Sequence, residues 1–136
     1  MRVLVTGARG FVGRNLCCAL KNIRDGKDRR AKYQQLLPLE VMEYDIDSTP
    51  GELEEYCSRA DFVFNLAGVN RPKDQAEFME GNFGFASTLL DTLERHGNTC
   101  VSVNLFFTSF AKQARRSRKG GFTGCANVFS PIPVTA

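Results

Sequence analysis

Paired cysteines, clustered histidines and long apolar runs are all missing from this sequence. The five cysteines, at 17, 18, 57, 100 and 125, are odd in number and nowhere spaced as Cys-x-x-Cys, and His96 has no His or Cys placed to join it as a ligand. Neither a disulfide framework nor a zinc site is expected. The apolar stretch after Met1 ends at Gly7, too short for the core of a signal peptide or for a membrane span. The cytoplasm is therefore the expected compartment, with no membrane partner. Acidic residues are missing from the last quarter: residues 101–136 hold five Lys/Arg and no Asp or Glu, whereas residues 1–100 hold 13 and 15. A basic end can bind nucleic acid or anionic lipid. Here Arg115, Arg116, Arg118 and Lys119 form only one short cluster beside Gly120 and Gly121, so a solvated, irregular tail is the expectation and nucleic acid is not an expected partner.

What is present suits one globular domain. With 43% apolar and 24% charged residues in 136, the chain can bury a single modest core, and it shows no internal repeat. Arg2-Val3-Leu4-Val5-Thr6 is a short β-branched run that stops at Gly7, as a buried strand does. Val12, Leu16, Ala19, Leu20 and Ile23 follow at helical spacing. The charge-dense stretch 24–32 has no apolar period and is expected to be an exposed loop or a frayed helix end. A second strand is predicted over Leu39–Tyr44, and a short helix through Cys57, opened by Ser48 or Thr49 ahead of Pro50 with Glu52 in its first turn. A third strand is predicted in Asp61–Gly68, a helix over Asp74–Arg95 stopped by Gly97-Asn98, and a fourth strand over Val101–Phe107. Helices alternating with short apolar strands imply an α/β fold: a parallel sheet covered by helices on both faces.

The glycines after the first strand carry the chemistry. Gly7-x-x-Gly10-x-x-Gly13 is weak as spacing alone, but it follows a buried-type strand and opens an amphipathic helix. In that setting glycines let the backbone approach a pyrophosphate and aim helix N–H groups at it. The alternative is a tight strand-to-helix turn without a ligand.

Val5-Thr6-Gly7-Ala8-Arg9-Gly10-Phe11-Val12-Gly13-Arg14-Asn15-Leu16 resembles the opening of the extended short-chain dehydrogenase/reductase family, the NAD-dependent epimerases and dehydratases that act on nucleotide sugars. Asn65-Leu66-Ala67-Gly68 resembles that family's strand-end motif near the cofactor, and Gly81–Asp91 its helix carrying a buried asparagine, here Asn82. Leu66–Pro72 is similar, more narrowly, to the capsular-polysaccharide sugar reductases, which reduce a 4-keto deoxysugar attached to UDP. The resemblance covers residues 1–100 and fades beyond Cys100. It implies a partial Rossmann fold over 1–107, with strand order 3-2-1-4, and a basic tail over 108–136 that is irregular or non-native, as a frameshift or truncation near Cys100 would make it. It also implies a dinucleotide held by Gly7, Arg9, Gly10, Phe11, Val12, Gly13, Leu66, Ala67, Gly68 and Asn82.

The resemblance further implies a Tyr-x-x-x-Lys pair, whose lysine-lowered phenol acts as acid or base. This chain lacks one: four residues after Tyr33, Tyr44 and Tyr56 stand Leu37, Ser48 and Ala60. Thr108 and Ser109 fall near the family's hydroxyl helper without its tyrosine. The expectation is dinucleotide binding without catalysis by this chain, a UDP-sugar being a partner only of a full-length relative. The alternative is a non-catalytic fragment that contacts another protein.

Cofactor choice rests on the end of the second strand. A carboxylate there accepts hydrogen bonds from the adenosine ribose and repels a 2′-phosphate. Asp45 fits NAD, although it lies 32 residues after Gly13 instead of roughly 20, an excess matched by the charged insertion. Asp47 is the rival if the strand ends later. Arg9 could meet a 2′-phosphate and so admit NADP, and either aspartate could instead cap the next helix. Cys17 and Cys18 read as helix packing, and His96 as a partner of a helix's negative end.

Overall fold

Val3, Leu4, Val5 and Thr6 are each at most 2% exposed, because the strand they form runs through the middle of a sheet covered on both sides. The computed structural model of the chain describes residues 1–68, 76 and 83–104. Its elements are β1 (Arg2–Thr6), α1 (Phe11–Arg24), α2 (Ala31–Gln34), β2 (Glu40–Tyr44), α3 (Pro50–Arg59), β3 (Phe62–Asn65), α4 (Phe85–Arg95) and β4 (Val101–Asn104). All three strand pairings are parallel, so every connection is a crossover.

Side chains alternate along each strand, and the alternation sorts the core into two layers. Val3 and Val5 meet Cys17, Leu20 and Ile23 of α1 on one face. Leu4, Met42 and Val63 meet Leu53 and Cys57 of α3 and Leu89 and Leu93 of α4 on the other. Helices on both faces of a parallel sheet are what the alternating sequence predicted.

The order of the strands differs from the expected 3-2-1-4. The sheet runs β2-β1-β3-β4, with the chain's third strand beside β1 and not outside β2. The physical reason lies in charge. β2 carries Glu40 and Glu43, both exposed, which suits an edge and blunts further pairing there. Asp61, just ahead of β3, is bound instead to the start of β1: its Oδ2 accepts from the Arg2 amide at 2.7 Å and its carboxylate takes a forked contact from the Arg2 guanidinium. That clamp sets the register Val3↔Phe62.

Local signals explain most element ends. Thr49 opens α3 with a reciprocal capping box, its hydroxyl accepting from the Glu52 amide while Glu52 Oε2 accepts from the Thr49 amide. Such a cap is worth about 1 kcal/mol. Asn98, just past α4, donates to the last carbonyls of α3, those of Cys57 and Ala60, at 2.7 and 2.9 Å, and so ties the two helices end to end. The charged stretch is not wholly irregular, since α2 begins at its end; Tyr33 of α2 packs on the α1 side of the core beneath the cations of Arg30 and Lys32. Among the described residues no helix is long and apolar enough to cross a membrane. The predicted tail over 108–136 and most of the first half of the helix predicted from Asp74 lie outside the described residues.

Candidate functional site

The strand order creates a switch point. From β1 the chain crosses by α1 to β2 on one side; from β2 it returns by α3 past β1 to β3 on the other. The two helices cover opposite faces, which leaves a crevice at the carboxyl ends of β1 and β3, the place where open parallel sheets bind ligands.

Gly7 begins the turn out of β1 with φ +66°, a conformation that side chains rarely adopt. A Cβ there would stand 2.7 Å from the Leu66 carbonyl and the Ala67 nitrogen, so the turn lies flat against the end of β3. Gly13, in the first turn of α1, is closer still: a Cβ would stand 2.1 Å from the Gly7 carbonyl oxygen. Gly10 is different. Its Cβ would meet only that same oxygen, at 3.3 Å, and the residue is exposed. Two glycines thus serve packing, and the middle one keeps a surface bare at the head of a helix.

That helix head is short of partners. Gly10 is the N-cap of α1, no side chain caps it and no acidic residue stands in its first turn. The first N–H groups of a helix have no intrahelical acceptor, and here the helix's own first turn supplies no carboxylate to them. Phe11, 86% exposed, and the half-buried Val12 contribute backbone amides to this turn. The residues present therefore fit the pyrophosphate of a dinucleotide: bare backbone, free donors and a helix dipole of the right sign.

Asp45 sits at the end of β2, half-buried, and faces the glycine turn. Its Oδ2 accepts from the Arg9 amide at 2.7 Å and its Oδ1 from the Ile46 amide at 2.8 Å. A carboxylate offers about four lone-pair sites, so two backbone bonds leave capacity for a ribose hydroxyl. Asp47 is not at the same point: it forms an ion pair with the Arg9 guanidinium, both side chains about 60% exposed. Of the two rivals, Asp45 is the one built into the turn, and neither caps α3, a task that falls to Thr49. Leu66 and Ala67 are half-buried at the end of β3 and Gly68 is exposed beyond them. Asn82, Thr108 and Ser109 lie outside the described residues.

Of the two cysteines expected to pack within α1, Cys18 is exposed, being on the solvent side of the helix, and only Cys17 enters the core. Cys17 is buried against β1, and burial pushes its thiol up to about 11; Cys57, on α3, is pushed up to about 12 in the same way. Neither is a thiolate near neutral pH. His96 pairs through its ring with Glu54 of α3 at 2.6 Å, and Arg95 joins the same carboxylate. The His96 imidazole, followed by Arg95, holds the Glu54 carboxyl below the usual carboxylate range. Sequence reasoning missed one group, a polar line of the buried Thr6 and Asn65 and the half-buried Asn104. Its visible signal is polar residues at inward positions of otherwise apolar strands.

A parallel sheet with its switch point beside a glycine turn defines a nucleotide-binding α/β domain of the Rossmann type. Residues 3–113 match the NAD dependent epimerase/dehydratase family, and the chain belongs to that family. Over 109 residues it is 39% identical to UDP-2-acetamido-2,6-beta-L-arabino-hexul-4-ose reductase of Pseudomonas aeruginosa, covering 80% of this chain and 25% of that protein. The capsular polysaccharide assembling protein CapF of Staphylococcus aureus superposes with TM-score 0.52 at 32% identity, over 75% of this chain and 24% of CapF. A short-chain dehydrogenase/reductase superfamily protein of Agrobacterium tumefaciens, solved with bound NAD, shares the fold at TM-score 0.51 and 20% identity, over 72% of this chain and 30% of that one. The chain thus spans about a quarter of the length of the first two of these relatives.

Proposed function

We propose that this chain is the dinucleotide-binding part of a nucleotide-sugar reductase, epimerase or dehydratase, and that it holds NAD with its pyrophosphate over Gly7, Gly10 and Gly13. The observation that carries the reading is the uncapped head of α1 behind a glycine that leaves its surface bare. Asp45 would take the adenosine ribose, since it lies at the end of β2 beside the turn. Phe11 and Val12 amides would bind phosphate oxygens, and Leu66, Ala67 and Gly68 would line the other half of the dinucleotide. Asn82, by its place in the motif, belongs to the same half. NADP remains the alternative cofactor. Arg9 is the one cation of the glycine turn and Asp47 occupies it, so a 2′-phosphate would have to compete with a carboxylate.

NAD supplies hydride transfer at its nicotinamide ring; the residues of this chain bind it, orient it and set its adenosine end. A UDP-sugar is the substrate proposed for the full-length relatives, by likeness to the Pseudomonas reductase. The chain itself has no Tyr-x-x-x-Lys, so binding without turnover is the activity proposed for it. The cytoplasm, where such cofactors and sugar nucleotides circulate, is the compartment this reading requires, and 108–136 would be a tail outside the binding domain. Fluorescence titration of the purified chain with NADH tests the proposal: saturable binding that Gly10→Val abolishes is the expected result, and equal affinity in the variant overturns it.

A further inference from the structure

Arg14 stands one turn into α1, and its amide donates to the Gly10 carbonyl at 2.9 Å. Residues four apart share a face of a helix, and a helical side chain leans back over the turn before its own Cα. Arg14 therefore projects from the face that Gly10 leaves bare, toward the head of the helix. Its side chain is exposed, and it takes no part in the ion pairs of the described residues. The helix itself offers no carboxylate, since the residues three and four places away are Gly10, Phe11, Cys17 and Cys18.

Electrostatically the position is unfavourable. A cation near a helix N-terminus meets the positive end of the helix dipole, and no acidic residue in the first turn of α1 offsets it. Arg2, Lys21, Arg30 and Arg59, by contrast, each face a carboxylate. The other charges of the crevice mouth also fall short of what the proposed ligand needs. Arg9 and Asp47 cancel as an ion pair, and Asp45 adds a negative charge beside the glycine turn. A helix head contributes roughly half a positive charge, whereas the diphosphate of a dinucleotide is a dianion. Without a further cation the mouth would hold that dianion next to a carboxylate.

We infer that Arg14 is a phosphate-binding residue, its guanidinium closing on the diphosphate from the α1 side while the first amides of the helix hold the same group. The inference rests on the proposed function and adds one side chain to it. The planar fork of a guanidinium matches two phosphate oxygens at once, where each helix amide supplies a single bond. The cation that opposes the dipole of α1 is thus the one that a bound anion neutralises. Binding and stability pull in opposite directions at this residue, as they do at many ligand sites.

Titrations of the full chain, of Arg14→Gln and of Arg14→Lys test this. Gln keeps a long side chain and a similar helix propensity. In Arg14→Gln, affinity for NADH and for ADP should fall by about tenfold, the scale of a charge-assisted hydrogen bond. The weakening of NADH binding by added salt should flatten in Arg14→Gln and persist in Arg14→Lys, which keeps the charge. Without ligand, the unfolding midpoint of Arg14→Gln should rise by about 1–4 °C, as a cation leaves the positive end of a helix. Unchanged NADH affinity in Arg14→Gln overturns the inference and leaves the proposed function standing. Weaker binding together with a lower midpoint overturns it too, because the residue would then be merely structural. Where the unaltered chain binds no NADH, inorganic pyrophosphate decides. If pyrophosphate raises the midpoint of the unaltered chain and not that of Arg14→Gln, the proposed function alone falls; if it raises neither, or both equally, Arg14 falls with it.

Discussion

Gly13 is pressed so closely on Gly7 that a methyl group on the one would stand 2.1 Å from the carbonyl oxygen of the other. The neighbouring obstacles are the backbone of Ala8, at 2.8–2.9 Å, and backbone cannot swing aside as a side chain can. Gly13→Ala is therefore expected to destabilise the fold itself, by about 1–3 kcal/mol or more on the scale of overpacked cores. Thermal unfolding followed by circular dichroism checks it; an unchanged midpoint would contradict the packing described.

Gly10 separates from its two companions in the same experiment. Its Cβ would meet one atom, at 3.3 Å, so Gly10→Val should cost roughly 1 kcal/mol as a poor N-cap and leave the chain folded. NADH binding should nonetheless vanish, because the branched side chain covers the bare backbone at the helix head. The pair of variants distinguishes a glycine kept for packing from one kept for a ligand.

Asp47→Asn should shift cofactor preference toward NADPH. The substitution frees the Arg9 guanidinium from its carboxylate while Asp45 and its two backbone bonds stay in place. Exposed ion pairs are worth about 0–1 kcal/mol, so the gain in NADPH affinity over NADH should be up to about fivefold. Parallel titrations with the two reduced cofactors read it, and a shift toward NADH would refute the competition.

Acid should loosen the start of the sheet. The Arg2 guanidinium, by its hydrogen bond and then the Arg2 amide, holds the Asp61 carboxyl below its ordinary 3.8. A carboxyl depressed in the folded state contributes stability that is present above the unfolded value and is lost as pH falls through the folded one. The unfolding midpoint of the native chain should therefore drop more steeply than that of Asp61→Asn between about pH 5 and about pH 3. Because Arg2 and Asp61 are both more than 40% exposed, added salt should shrink the difference.

Hydride transfer is expected to be undetectable. A missing general acid typically lowers a rate by about 10²–10⁴-fold, and a UDP-sugar would also need residues to position it. Incubating the chain with NADH or NADPH and a UDP-4-keto sugar, with absorbance at the reduced-nicotinamide band, should show no turnover. A rate near that of a full-length relative would mean that Thr108, Ser109 or another hydroxyl performs the proton transfer.

The glycine turn was legible in the sequence because Gly7 and Gly13 answer to contacts that any side chain would break, while Gly10 keeps the head of the helix bare. The capping box at Thr49 was legible too, as Thr49, Pro50 and Glu52 are neighbours in sequence. Strand order was not, since the apolar run of β3 fits outside β2 as well as beside β1. The deciding features are Glu40 and Glu43 on β2 and the reach of Asp61 to Arg2, a pair 59 residues apart. Asp45 was legible as a carboxylate at a strand end, but its bond to the Arg9 amide joins residues 36 apart and leaves no local pattern. The line of Thr6, Asn65 and Asn104 is hidden for the same reason, because register exists only once the sheet has closed.

β1 is made before both of its neighbours and lies inside the sheet, paired on one side with residues 40–44 and on the other with 62–65. A nascent chain therefore carries Val3, Leu4 and Val5 with no partner strand until some 40 further residues have been made, and with one edge unpaired until some 60 have, several seconds at roughly 5–20 residues per second. During that interval the strand has an open edge and an apolar face, the combination on which holding chaperones and unwanted strand pairing both act. The position of one strand in the sheet makes its protection wait on two partners made after it.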